Sequence, residues 1–123
     1  MAENKQYVTQ TRDNGNIMIS ENVIATIVSH AIQEIEGVAG MSVKPGTDIM
    51  DLIGKKSSAK GMKIVIGEED ELYIDCNINI FYGQSIVTVA QAVQEVVTGA
   101  LQSTGNFKVA AVNVNVCGII RQQ

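Results

Sequence analysis

Apolar residues at Ile24, Ile27, Val28, Ala31, Ile32 and Ile35 follow the i, i+3, i+4, i+7, i+8, i+11 series of one buried helical face. Ser20 precedes Glu21 and Asn22 and supplies a capping hydroxyl, and Gly37 suits the left-handed residue that ends the helix. A short strand, Ile17–Ile19, leads in, and a second, Val38–Val43, leads out to Pro45-Gly46. Met62–Ile66 and Glu71–Tyr82 read as a hairpin with Gly67-Glu68-Glu69-Asp70 at its tip. In the second of these strands Leu72, Ile74, Cys76, Ile78 and Ile80 alternate with Tyr73, Asp75, Asn77, Asn79 and Phe81, giving one apolar face and one mostly polar face. From Ser85 to Ser103 a helical stripe returns in Ile86, Val89, Ala90, Val93, Val96, Val97, Ala100 and Leu101. Gly105-Asn106 then turns the chain into a last strand, Phe107–Ile119, where Val112, Val114 and Val116 alternate with Asn113, Asn115 and Cys117.

The predicted order is β-α-β-β-β-α-β. Two helices with one apolar stripe each, and strands with one apolar face each, are satisfied when both helices pack on the same face of one mixed or antiparallel sheet. The expected class is therefore α+β, a two-layer sandwich. Residues 1–14 read as a polar, flexible leader and 15–120 as a single domain. Within it, 44–61 is irregular and basic, with a short helical turn capped by Thr47.

Composition narrows the function more than it defines it. The chain has 123 residues, 46% hydrophobic and 18% charged, with a net charge of -4. That is one domain with enough chain to bury its own core. An acidic balance with no Trp and 4% aromatics lacks the field and the stacking rings of a nucleic-acid binder. No apolar stretch near the start serves as a signal-peptide core, and no run is long enough to span a membrane, so a cytoplasmic chain with at most peripheral or indirect membrane contact is expected. Cys76 and Cys117 lie far apart, outside any metal-ligand spacing, as reduced structural thiols would.

Longer stretches of the sequence carry a resemblance. Gly15-Asn16-Ile17-Met18-Ile19-Ser20, then Val23-Ile24 and Ile27, then Glu36-Gly37-Val38-Ala39-Gly40-Met41, resemble the opening of the alkaline shock protein family, Gram-positive proteins linked to envelope stress. Tyr82-Gly83-Gln84-Ser85-Ile86, Val89-Ala90, Val93-Gln94 and Val112-Asn113-Val114-Asn115-Val116-Cys117-Gly118-Ile119 are similar to its second half. Two positions depart from the pattern: Val87 stands where the family often has proline, and Val28 where it often has alanine. The resemblance implies a cytoplasmic, non-enzymatic protein that self-associates and works near the membrane through a protein partner, a membrane-anchored one included, without a cofactor. Some relatives are tied instead to fatty-acid synthesis, through a carboxylase-type enzyme. The region around Gly54-Lys55-Lys56 and Lys60-Gly61-Met62-Lys63 looks closer to those relatives.

Candidate chemistry is sparse. The single base, His30, stands four residues before Glu34, as a surface pair would. Cys76 reads as core, and Cys117 points outward by phase. Glu68-Glu69-Asp70-Glu71 lacks the spacing and glycine of a calcium loop. Gly37-Val38-Ala39-Gly40 spells an RNA-binding G-x-x-G without a basic residue, and Gly54-Lys55-Lys56-Ser57 lacks the upstream glycine of a phosphate loop. Two features suggest contacts instead. Asn77, Asn79, Asn113 and Asn115 repeat at period two on the polar faces of two strands, and Gln91 and Gln94 lie on a nearly uncharged helix face. These six are candidates for self-association, a wetted sheet face being the alternative. Lys44, Lys55, Lys56, Lys60 and Lys63 are five of the nine cations, set against Asp48 and Asp51. Lys55, Lys56, Lys60 and Lys63, with Ile49 and Leu52, are the candidates for contact with a partner or an anionic surface.

Overall fold

The computed structural model describes residues 6–41 and 61–121. In chain order the elements are β1 (Tyr7–Arg12), β2 (Gly15–Ser20), α1 (Glu21–Gln33), β3 (Val38–Met41), β4 (Met62–Ile66), β5 (Glu71–Phe81), α2 (Ile86–Gly105) and β6 (Lys108–Ile120). The strand with the strictest alternation, β5, is the spine of the sheet. Its Leu72, Ile74, Cys76, Ile78 and Ile80 are all fully buried. Both helices cover that face: α1 buries Ile24, Ala25, Val28, Ala31 and Ile32, and α2 buries Val89, Val93, Val97 and Leu101. These side chains join those of β4 and β5 in one core. The two-layer α+β sandwich is what the structure shows.

The edges of β5 decide the rest of the topology. β6 runs parallel to it from residue 71 to 81 and so fills one edge. β3 and β4, both antiparallel, must share the other, and their registers put them end to end: Met41 stands opposite Ile78, and Met62 opposite Cys76. Between them the Asn77 amide donates to the Gly61 carbonyl at 2.8 Å. Met41 and Gly61, the described residues on either side of 42–60, therefore stand at almost the same point of the sheet.

The helix signals translate directly. Ser20 and Ser85 cap α1 and α2, each hydroxyl accepting from a backbone amide three residues on. Asn106 closes α2 in the left-handed conformation at φ 55°. α1 stops at Gln33, with Glu34 as its C-cap, so Gly37 (φ 98°) serves the following turn and not the cap itself.

Two expectations are corrected. The segment before residue 15 is not all leader, because β1 occupies Tyr7–Arg12 and pairs antiparallel with β2 from Tyr7↔Ser20 to Arg12↔Gly15. Accordingly β2 belongs to a separate two-stranded ribbon and not to the main sheet. The physical reason is the Asp13-Asn14 two-residue turn, with Gly15 at φ 134°, which folds β-branched Val8, Thr9 and Thr11 back on Ile17–Ile19. Val8, 3% exposed, enters the core. The Thr9 amide donates to Asp70 Oδ1 at 3.2 Å and Gln10 Nε2 to the Gly105 carbonyl at 2.7 Å, fixing the ribbon against the β4–β5 tip and the end of α2.

Candidate interaction face

The face of the sheet turned away from the helices collects the polar half of the β5 alternation. Register sets its rows. Lys63 of β4 stands opposite Asp75, Asp75 opposite Asn113, Asn77 opposite Asn115, and Asn79 opposite Gly118. All four predicted asparagines thus share one face, and Asn115 ties it together. Its Nδ2 donates to Asp75 Oδ1 at 2.6 Å and to Asn77 Oδ1 at 3.0 Å. The Cys117 thiol lies 4.0 Å from Asn77 Oδ1 and 3.8 Å from the Asn115 carbonyl. Asn79 fits over Gly118, where a Cβ would come within 2.8 Å of its Oδ1.

Asp75 belongs to this set although the asparagine repeat alone did not select it. The signal was present in the sequence, since the period-two alternation places Asp75 on the same face as Asn77. The remaining candidates divide. Gln91 is exposed, whereas Gln94 is engaged: its Nε2 donates to the Val112 carbonyl at 3.0 Å and straps α2 to β6. Lys63 is exposed on β4. Lys55, Lys56, Lys60, Ile49 and Leu52 lie outside the described residues, as does the turn capped by Thr47.

Elsewhere the chemistry is structural. His30 Nε2 lies 3.3 Å from Glu34 Oε2, both side chains largely exposed, which is the surface pair read from the sequence. Glu71 organises the acidic tip. Its own backbone amide, then the Glu69 amide and the Tyr73 hydroxyl, hold its carboxyl below the usual range against the opposing effect of desolvation. Donating that bond to Glu71 pushes the Tyr73 hydroxyl up. Burial, helped by the nearby Asp75 charge, pushes the Cys76 thiol up to about 12, so it stays protonated and unreactive. Among the described residues no group of three His, Cys, Asp or Glu side chains could hold a metal ion, and no helix is long and apolar enough to cross a membrane. A groove of about 410 Å³ runs between the helices, floored by Ile27, Ala31, Val96 and Ala100, with His30 and Glu34 on its rim.

The uncharacterized protein YqhY of Bacillus subtilis (strain 168) is 30% identical over 105 residues, 85% of this chain and 77% of that protein. The uncharacterized protein Spy1614 of Streptococcus pyogenes serotype M6 is 34% identical over 111 residues, 89% of this chain and 90% of that one. Among solved structures, MamM CTD M250L is similar at a TM-score of 0.49 with 12% identity, over 80% of this chain and 96% of that one. The model of the alkaline shock protein family, described by its cell envelope-related function, matches residues 9–121. That match runs from β1 to the residue after β6, and the chain belongs to the alkaline shock protein family, as its glycine and valine runs suggest.

Proposed function

We propose that this chain is a non-enzymatic adaptor of the cell envelope, working in the cytoplasm by self-association and by recruitment to a membrane-associated partner. The carrying observation is the outer sheet face, where Asn115 bonds both Asp75 and Asn77 and so pre-orders a row of amide donors and acceptors. Asparagine is a poor strand residue, and a contact that uses its hydrogen bonds gives four of them on one face a purpose. Position supports the basic segment as the recruiting element. Met41 and Gly61 both stand beside Asn77 and Ile78, with Lys63 close by on the same face, and Lys55, Lys56, Lys60, Ile49 and Leu52 fall between Met41 and Gly61 in sequence.

Crosslinking in the native cell, followed by identification of what is captured, tests the proposal. Capture of a membrane-associated protein, lost when Lys55, Lys56 and Lys60 are changed together to Glu, is the expected result. Capture of a soluble carboxylase-type enzyme would replace it with control of lipid synthesis, and turnover of a substrate by the purified chain would refute it.

A further inference from the structure

β6 is an open edge. β5 takes up one side of it, and the other side pairs with no strand among the described residues. Gln94 marks which groups face outward, because its amide reaches the Val112 carbonyl from α2 and not from β5. Residues two apart in a strand repeat the same orientation, so Val114 and Val116 also direct N–H and C=O groups to the open side. Pairing with β5 is regular over this stretch, Ala111 to Val116, between its two register shifts.

Folded proteins guard such an edge with lysine, proline or a covering element. Here the run from Val109 to Ile120 contains no charged residue and no proline, with Lys108 and Arg121 standing only at its ends. The neighbouring flank of α2, which Gln94 places beside the edge, continues the same character: Val87 is 66% exposed, and Glu95 is the helix's single charge. Charge decides which strand fits. A second copy brings identical side chains, and like charges facing one another across a ladder are destabilising, so a strand that meets itself must carry none. A charged partner strand, by contrast, would find no counter-charge here.

We infer that two copies of this chain join edge to edge through β6, antiparallel across a two-fold axis. This rests on the self-association proposed above and names its surface. Each copy's Val114 and Val116 donate to and accept from the other, the two sheets become one, and the Val87 and Gln91 flanks of the two α2 helices meet beside the seam. Gln94 retains the Val112 carbonyl, so the new ladder begins at Val114. On the outer face the amide rows through Asn113 and Asn115 are brought alongside each other.

Sedimentation equilibrium and amide hydrogen exchange on the full chain test this. Val114→Pro removes an outward amide, which proline tolerates on an edge strand because that group has no partner in one copy. Asn115→Lys sets two lysines directly opposite one another at the two-fold axis from an exposed position and keeps the test open should the proline variant fail to fold. A dimeric wild type is expected, with Val114 and Val116 amides protected only in the dimer. Val114→Pro should weaken it on the order of 100-fold and Asn115→Lys on the order of 10-fold. A dimer that neither variant alters overturns the β6 seam and leaves self-association standing. A wild type still monomeric at about 1 mM overturns both, and protected edge amides in that monomer would show the chain covering its own edge.

Discussion

At Gly37 the backbone sits at φ 98°, and a Cβ there would lie 2.9 Å from Val89 Cγ2 and 3.2 Å from Gln84 Oε1. Gly37→Ala therefore combines a left-handed alanine with overpacking against the first turns of α2, an expected loss of about 2–4 kcal/mol. Gly40 has φ 151° with nothing within 4 Å of its Cβ, so Gly40→Ala lacks the clash and should cost less. Urea unfolding of the two variants measures the difference. Cys76 offers a second residue-scale prediction. Its folded pKa of about 12 lies above the ordinary thiol value of 9.0, so its contribution is fully present below pH 9 and lost as pH rises towards 12. Stability should fall across that window by at most about 1.4 kcal/mol per pH unit from this group, and Cys76→Val should flatten the slope. The same burial predicts that a thiol reagent labels Cys117 in the native protein and Cys76 only after unfolding.

At the scale of elements, the ribbon of β1 and β2 is where sequence and structure part most usefully. Deleting residues 1–14 exposes the space filled by Val8 and removes the bonds of Thr9 to Asp70 and Gln10 to Gly105. It should cost more than about 2 kcal/mol, measured as a lower urea midpoint, whereas a flexible leader would cost nothing. The ribbon was hard to read because Val8 is the one apolar residue of β1 that reaches the core; only the Asp13-Asn14-Gly15 turn signals it. By contrast α1 and α2 were legible from serine caps and apolar stripes, and β5 from its alternation, because those signals are local. What was not legible is non-local. The end-to-end seating of β3 and β4 on one edge of β5 depends on register across residues 42–60, and the parallel pairing of β6 on packing under α2. Among the site residues, phase alone placed the asparagines on one face. It could not reveal that Gln94, read as a candidate for self-association, already holds the Val112 carbonyl within the chain.

For the whole molecule, charge separates two kinds of contact that ionic strength can tell apart. The β6 seam has no charge between Val109 and Ile120, so its affinity should change little with salt. The basic segment should behave in the opposite way. Near an anionic surface each lysine is worth about 1 kcal/mol, and five lysines less two aspartates leave about 3 kcal/mol, weaker than a millimolar affinity. One copy could not hold itself at an envelope on that contact, but joining two converts the second contact into an intramolecular one and multiplies overall affinity by about 10²–10⁴. Assembly thus strengthens recruitment, while the dimer free of membranes and partner does not use the lysines. Val114→Pro should reduce recovery of the chain with membranes or its partner although no lysine has changed, while Lys55→Glu, Lys56→Glu and Lys60→Glu together should abolish recovery and leave the sedimentation of the dimer as it was. Measured at low salt, where the lysine contact is strongest, the two variants should therefore fail for different reasons. Equal recovery of the Val114→Pro chain and the wild type would mean that a single copy suffices and that recruitment does not depend on the pair.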